Sequence, residues 1–393
     1  MRSRVVQVDT RKITAARRGR EILRLNLFDG AVVEVDIRRV RPTRTGHFIS
    51  GRPRGREWGE VRLVVNGPVM VGTVQTPNGK FSIRSGGRGR HVIRQIDPLK
   101  ESLECEAEQE STIAFQPSWQ VLALAGAPLD GAGLPAVAEA KHMPTEDGSE
   151  IRMLVVYTPA AQAAEGGKAG MEALIDLAIR AINEVFEQGG ISPRIVLAHS
   201  AMVDYVEPSG PGVHRHLITP DDGQMDEVHA LRNQHAADLV YLFIRSNNSG
   251  GGSGSIPSAE DLGEERRSFA YGSTTYDLEY IFIHETGHML GLKHDRHRSG
   301  PFAGNNAIYP YAYGYVNQKA FEPGAPQSSR WSTVMAKSTQ CAAAGFSCPP
   351  IIRFSNPDQT YLGDPLGVPA ESAVTVRRAP PMPGSRSTIS HRG

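Results

Sequence analysis

The sequence is poor in cysteine, in net charge and in long apolar runs, and each shortage excludes a class of protein. Only 3 of its 393 residues are cysteine, which is too few for a disulfide-built scaffold and leaves one over if two pair. The formal net charge is +1, so the overall field does not favour a polyanionic partner such as nucleic acid. No run approaches the ~18 apolar residues that a membrane-spanning helix needs, and we expect no membrane partner.

An apolar leader is also missing. Polar and charged residues follow Met1, so no secretory signal is visible at this end of the chain. What remains is an ordinary globular composition, with 39% hydrophobic and 22% charged residues. The length is sufficient for two domains, each with its own core.

Residues 1–98 are predicted to form a small β-rich domain. Apolar and polar residues alternate on both sides of Asp29-Gly30 and of Asn66-Gly67, and such pairs are typical of tight hairpin turns. The segment therefore predicts antiparallel hairpins packed as a sheet.

Basic residues outnumber acidic ones in this domain, with clusters at 17–20 and 52–56. Nucleic-acid binding is one interpretation, but the clusters lack the interleaved aromatic residues that stack on bases. Solvated loops, or a basic face that docks on another domain, are the alternatives that we favour.

Residues 99–148 are predicted to form a linker. The segment is first acidic and then rich in Ala, Gly and Pro, a composition typical of an exposed and cleavable connection. It contains Cys105, far from the other two cysteines. The tail 369–393 is rich in Pro, Arg and Ser and is predicted to be disordered.

Residues 149–368 are predicted to form the larger domain. Apolar runs indicate three strands, at 151–157, 194–205 and 238–244. A helical repeat of apolar residues ends at Gly189-Gly190, and the Gly- and Ser-rich segment 246–258 indicates a mobile loop or a weak edge strand. This alternation favours a partly parallel sheet covered by helices. For the chain as a whole, with its β-rich first domain, we expect the fold class α+β.

A histidine motif carries the predicted chemistry. It runs from His284 through Glu285 and His288 to Gly291 and His294, with the spacing H-E-x-x-H-x-x-G-x-x-H. Residues four apart lie on one helical face, so His284 and His288 aim their imidazoles at one point. Gly291 would end the helix and return the chain with His294. The alternative is a surface helix with histidines at this spacing by chance, and the five fixed positions argue against it.

Three histidines that leave one position open are typical of a single catalytic zinc ion. Glu285 would stand over that position and act as the general base for an activated water molecule. The motif therefore predicts hydrolysis by a Zn²⁺ enzyme, although other divalent ions could substitute.

The motif, together with Asp295 after its last histidine, resembles that of the metzincin zinc endopeptidases and especially their reprolysin (adamalysin) branch. Met335 is placed like the Met-turn methionine beneath the zinc of these enzymes. The stretches 309–316 and 353–368 are similar to bacterial peptidyl-Asp metallopeptidases. Residues 60–98 resemble the propeptide that precedes such catalytic domains.

The resemblance implies a metzincin-like catalytic domain, with a mixed five-stranded sheet and long helices, preceded by the propeptide-like domain. It also implies a secreted, monomeric proenzyme whose peptide or protein substrate lies along an edge strand within 249–271. Some metzincin branches place a metal-binding tyrosine two residues after the Met-turn methionine. Here that residue is Lys337, so we expect no such ligand, and Met335 would pack beneath the imidazoles.

The cysteines divide into a neighbouring pair and a single residue. Cys341 and Cys348 are close enough in sequence to close a short loop, and we expect them to be paired in an oxidising compartment; two free thiols are the alternative. Cys105 is a candidate fourth zinc ligand that keeps the proenzyme inactive until the linker is cut. An idle thiol is the alternative, because the surrounding residues match no known switch motif.

Specificity of the peptidyl-Asp type would need a cation in the substrate pocket, and Lys337 and Arg353 are the candidates. Two readings compete with a secreted zinc endopeptidase. One is a catalytically silent scaffold that binds a protein partner, which the intact Glu285 argues against. The other is a truncated, non-functional protease, because the proline-rich segment 377–384 cannot form the C-terminal helix usual in the family.

Overall fold

The structure is a computed structural model. The structure describes residues 2–11, 13, 22–56, 58–96, 149–208, 212–245, 251–257, 268–299 and 312–369. The chain forms two compact units: unit 1 is Met1–Ile256 with Gly263–Met289, and unit 2 is Pro257–Leu262 with Leu290–Gly393. The linker predicted at 99–148, with Cys105, lies outside the described residues, so these two expectations stay predictions.

Unit 1 begins with an eight-stranded antiparallel sheet, called here the N-terminal sheet. Its strands are β1 (Ser3–Gln7), β2 (Leu23–Phe28), β3 (Ala31–Pro42), β4 (His47–Pro53), β5 (Glu60–Asn66), β6 (Val69–Thr76), β7 (Gly79–Ser85) and β8 (Arg90–Ile96). From β2 to β8 each strand pairs with the next, and β1 pairs with β8. The predicted hairpins are confirmed, because Gly30 and Gly67 take φ values of 76° and 53° in the turns, as tight hairpins require.

The second sheet of unit 1 is mixed. Its strands are β9 (Glu150–Tyr157), β10 (Arg194–Met202), β11 (Leu239–Ile244), β12 (Gly252–Gly254) and β13 (Phe269–Ser273). The order is β10-β9-β11-β13-β12, and the pairs are parallel except for β12 with β13. The predicted partly parallel sheet is therefore confirmed, and the Gly-rich segment 246–258 contains the edge strand rather than only a loop.

Helices accompany this second sheet. They are α1 (Pro159–Ala164), α2 (Lys168–Gly189), α3 (Val213–Ile218), α4 (Glu227–Gln234) and α5 (Leu278–Met289). The end of α2 is as predicted, since Gly190 caps the helix in a left-handed conformation with φ 71°. All 12 residues of α5 are buried, so this helix lies inside the unit and not on its surface.

The N-terminal sheet is buried on both faces over its central strands. One face packs an apolar core that includes Leu63, Val74 and Ile83. On the other face Arg62 and Lys80 are also buried, with exposures of 2% and 6%. An alternating pattern is typical of a sheet with one face in water, but here helices α2 and α5 supply contacts for the polar face.

These contacts form what we call the docking face. Its ion pairs join Arg41 to Glu187, Arg62 to Glu184 and Glu279, Lys80 to Asp277, and Arg84 to Glu165. A basic face that docks on another element is therefore present, but the predicted cluster at 52–56 does not form it. Arg52, Arg54 and Arg56 are exposed, and residues 17–20 lie outside the described residues.

Burial and charge compete in the docking face. Burial alone would lower the pKa of Arg62, but Glu60, Glu279 and Glu184 together raise it. Burial would likewise raise the pKa of Glu184, and Arg62 and Ser50 outweigh it, so that this pKa falls below 4.5. The charged forms of Arg62 and Glu184 are therefore both favoured, because each group is buried beside a partner of opposite charge.

The described residues of unit 2 have little regular structure. It contains α6 (Arg296–Ser299), α7 (Thr339–Ala343) and a hairpin of β14 (Asn356–Tyr361) and β15 (Asp364–Leu366). The predicted pairing of Cys341 with Cys348 is confirmed by a disulfide with a Cα–Cα distance of 5.9 Å. Within the described parts of both units, no helix has the length and apolar character that a membrane span would need.

Candidate metal centre

Helix α5 carries the first two histidines of the motif. The ring centroids of His284 and His288 are 4.8 Å apart, and the ring planes are nearly perpendicular at 89°. Their exposures are 1% and 0%. Because the residues are four apart, one helical turn separates them and both rings leave the same face.

The third histidine reaches the same place through a turn. Helix α5 ends at Met289, and Gly291 has a φ of 87°, a conformation that favours glycine. One ligand atom from each of His284, His288 and His294 lies within 4.8 Å of the others. The spacing and the left-handed turn that the sequence indicated thus bring all three histidines together.

This histidine trio fits a divalent metal ion. In the part of the chain that the structure describes, it is the one group of three or more His, Cys, Asp or Glu residues that could hold a metal. Three imidazole nitrogens are a donor set typical of catalytic zinc, in which a further position stays open for water or substrate.

Glu285 stands between the two helical histidines at an exposure of 2%, where the edge strand β12 approaches α5. A Cβ atom on Gly252 would lie 3.1 Å from Glu285 Cγ, and one on Gly254 would lie 2.5 Å from the Glu285 carbonyl oxygen and 3.2 Å from His288 Cβ. Only glycine allows strand and helix to approach so closely. The Gly-x-Gly spacing was the available signal, and the sequence interpretation had assigned it to a loop or weak strand.

A buried histidine on α3 contacts the same edge strand. The ring of His214, with an exposure of 2%, lies 3.1 Å from Ser255 Oγ and 3.5 Å from Ser253 Oγ. The ring also lies 3.4 Å from the Phe269 carbonyl oxygen on β13. His214 therefore links α3 to both strands at this edge, and no sequence pattern had pointed to it.

The remaining predicted site residues lie in unit 2. Met335 is buried, at 1% exposure. The backbone N–H of Lys337 donates a 2.9 Å hydrogen bond to Asp295 Oδ2, so the residue after the third histidine is tied to the segment of Met335. The carbonyl of Arg353 accepts a 2.9 Å bond from the N–H of Val334. Lys337 and Arg353 are both half-buried.

The first turn of α5 also contains acidic residues that the sequence interpretation missed. Glu279 is 2% exposed and Asp277, directly before the helix, is 1% exposed. Both pair with cations of the docking face. Glu279 lies in the apolar run Leu278–Ile283, and this was the available signal, because a buried charge requires a partner.

Comparisons with known proteins agree with this geometry. A reprolysin family model, described as Metallo-peptidase family M12, matches residues 147–347. A Peptidyl-Asp metalloendopeptidase of Stenotrophomonas maltophilia is 29% identical over 322 residues, which are 81% of this chain and 67% of that protein. One of Xanthomonas campestris pv. campestris is 28% identical over 310 residues, which are 78% of this chain and 64% of that protein. The chain thus spans about two thirds of the length of these relatives.

Among solved structures, metalloproteinase-II from Bacteroides fragilis is similar over 67% of this chain and 78% of that chain, with 12% identity and a TM-score of 0.31. The family match is the stronger finding, because it covers slightly more than half of the chain. It also includes the whole motif from His284 to His294 and the segment of Met335. The chain therefore belongs to metallo-peptidase family M12, and its predicted place among the reprolysin-like metzincin zinc metalloproteases is confirmed.

Proposed function

We propose that the chain is a zinc-dependent endopeptidase that hydrolyses peptide or protein substrates. The observation that carries this proposal is the buried trio of His284, His288 and His294, with ligand atoms within 4.8 Å of one another. Glu285, in the same helix, supplies the carboxylate that peptide hydrolysis needs as a proton acceptor. The relatives named as metalloendopeptidases support the reaction class.

A Zn²⁺ ion held by one ring nitrogen of each histidine would polarise the scissile carbonyl and lower the pKa of a water molecule. Residues of the chain itself carry the proton transfer and position the site. The Glu285 carboxylate accepts the proton of the attacking water and returns it to the leaving amine. Met335 provides a soft apolar floor, and Asp295 fixes the backbone of its segment through Lys337.

Casein hydrolysis by the purified chain, after its linker has been cut with an added protease, tests this proposal. Wild type should lose activity with a chelator and regain it when Zn²⁺ is added. Glu285→Ala should lower kcat by at least about 10²-fold, the usual contribution of a general base, while its zinc content per chain stays that of wild type. Equal hydrolysis by wild type, Glu285→Ala and chelated samples would exclude a zinc peptidase.

We propose further that the enzyme prefers peptides that contain acidic residues, in line with the names of its relatives. Lys337 and Arg353 are the candidate cations, and an arginine fork matches the geometry of a carboxylate especially well. A peptide library digested by wild type should show enrichment of aspartate near the cut, and Arg353→Met or Lys337→Met should reduce it. A library without acidic enrichment would end this proposal.

We also propose that the chain is a secreted proenzyme. In this scheme residues 1–98 are the propeptide domain, 99–148 are the linker cut on activation, and 149–368 are the peptidase. The disulfide of Cys341 with Cys348 supports an oxidising compartment. Activation should follow cutting of the linker, which electrophoresis and casein hydrolysis can follow together.

Cys105 is the proposed zinc ligand of the uncut proenzyme, because a thiolate is a strong ligand for Zn²⁺. Cys105→Ser should then give casein hydrolysis before the linker is cut. If the uncut variant stays as inactive as the uncut parent, the cysteine has no such role.

A further inference from the structure

Three neighbouring strands of the N-terminal sheet meet the first turn of the motif helix α5. On β5, Arg62 Nη1 donates a 2.7 Å hydrogen bond to Glu279 Oε1. On β6, the hydroxyl of Thr73 donates to the other oxygen of Glu279. On β7, the ammonium of Lys80 contacts the carboxylate of Asp277, directly before the helix. The sheet therefore holds both oxygens of Glu279 and the residue directly before α5.

All of these groups are shielded from water. The side chains of Arg62 and Glu279 are 3% and 1% exposed, and those of Lys80 and Asp277 are 7% and 1% exposed. In such a position each charge is stable only beside its partner, because desolvation of an unpaired charge is unfavourable. The contacts consequently define where the first turn of α5 lies.

Arg62 connects more than one element. Its Nε donates a 2.7 Å hydrogen bond to Glu184 Oε2 on α2, and its third nitrogen donates to Glu60 on its own strand. One guanidinium therefore ties α2, α5 and the N-terminal sheet together. A lysine could not do this, since the planar fork presents donors in several fixed directions.

The first turn of α5 and the histidines belong to one short rigid element. Helix α5 is 12 residues long, so a displacement of Glu279 moves His284 and His288 with it. Metal ligands depend on the surrounding groups that orient them, and small errors in the position of catalytic groups slow a reaction strongly.

We propose that Arg62, Thr73 and Lys80 are positioning residues for the metal site, so that the N-terminal sheet is a working part of this site and not only a segment to be removed. This inference rests on the proposed function, because it concerns the same three histidines. These residues act through α5 and are not catalytic groups. The sheet would accordingly stay bound to the peptidase after the linker is cut.

The test compares the rate of zinc release between variants of the full-length chain. All of them carry Glu285→Gln, because this substitution prevents the chain from cutting itself. Thr73→Val and Lys80→Met each remove one contact with the start of α5. Arg41→Met is the matched control, because it removes a pair of the same docking face with Glu187 on α2. A chromophoric chelator should withdraw zinc about tenfold faster from the two test variants than from the control, near the lower end of losses seen when orienting groups are removed.

Two further measurements separate positioning from general destabilisation. Thermal unfolding of all variants shows whether the control loses as much stability as the test variants. In chains that keep Glu285 and have a cut linker, Thr73→Val and Lys80→Met should each lower kcat and leave KM unchanged. Arg41→Met should change neither. If Lys80→Met does not fold, the result for Thr73→Val alone tests the inference. Valine keeps the branched shape of threonine, so this substitution removes the hydroxyl and preserves the packing.

Zinc release from Thr73→Val and Lys80→Met at the rate of Arg41→Met would overturn the inference. A parent chain that binds no Zn²⁺ at all would instead contradict the proposed function. The two failures are therefore distinguishable in one series of samples.

Discussion

At the scale of single residues, the three histidines reach one point by two different routes. His284 and His288 need only the helical repeat, which any stable helix supplies. His294 needs the left-handed turn at Gly291, with its φ of 87°. Both routes depend on local geometry, and this is why the motif indicated the grouping before any tertiary contact was known.

Removal of the third histidine should separate metal binding from folding. We expect His294→Ala to lose its bound zinc and its casein hydrolysis, because two imidazoles cannot complete the ligand set typical of catalytic zinc. His297→Ala is the control, since His297 is exposed and close in sequence. Zinc content per chain, measured by mass spectrometry, checks this, and one zinc per chain in His294→Ala would contradict it.

At the scale of elements, the edge strand β12 shows how close packing against a helix requires glycine. Its glycines carry no structural signal of their own beyond flexibility, and the sequence favoured a loop or a weak strand equally. The strand forms because α5 lies so close that a side chain has no room. The contact partner is some thirty residues away in the chain, so no local pattern could reveal it.

The addition of a single methyl group in β12 should therefore destabilise the protein strongly. In Gly254→Ala the new Cβ would lie 2.5 Å from the backbone oxygen of Glu285, and we expect a loss of about 1–3 kcal/mol in the free energy of unfolding, as for overpacked cores. Gly189→Ala is the control, because its nearest contact is the Ile191 side chain at 3.5 Å. Urea unfolding measures both, and equal stability of the two variants would show that β12 does not approach α5 so closely.

The disulfide of unit 2 belongs to the same scale. Cys341 and Cys348 lie 7 positions apart in the sequence and are both buried. Replacement of both by alanine should lower the free energy of unfolding by about 2–3 kcal/mol, as the loop-entropy relation gives for so short a loop. Wild type unfolded in a reducing buffer is the control, and it should match the double variant. Unchanged stability in both samples would contradict the prediction.

At the scale of the whole molecule, charge pairing couples the N-terminal sheet to the helices of unit 1. The predicted basic face exists, but residues scattered over several strands form it, and the conspicuous Arg52–Arg56 cluster stays exposed. Composition could show an excess of basic residues in this segment. It could not show which of them meet Glu184, Glu187 or Glu279, since that depends on strand register and on the approach of α2 and α5.

The docking face should make stability depend on pH. Burial tends to raise the pKa of Glu184, but Arg62, Ser50 and Arg39 lower it below its ordinary value of 4.5. A lowered pKa in the folded chain means that the stabilisation is complete above that ordinary value and is lost as the pH falls through the folded value. We expect the free energy of unfolding to decrease below about pH 4.5, as the linkage relation requires.

Glu184→Gln provides the matched comparison for this pH dependence. It should be less stable than wild type near neutral pH, because Arg62 loses a charged partner, and its stability should fall less steeply in acid. Urea unfolding at a series of pH values measures both slopes. Parallel curves for wild type and Glu184→Gln would show that this carboxylate does not titrate as described.

The sequence by itself determined the features that depend on neighbours in the chain. These are the hairpin turns at Gly30 and Gly67, the end of α2 at Gly190, and the histidine spacing that indicates the candidate metal site. Only the tertiary structure decided that Arg62 and Lys80 are buried and that β12 lies against α5. The physical reason is that spacing and turn chemistry act over a few residues, whereas burial and charge pairing depend on which distant surfaces meet.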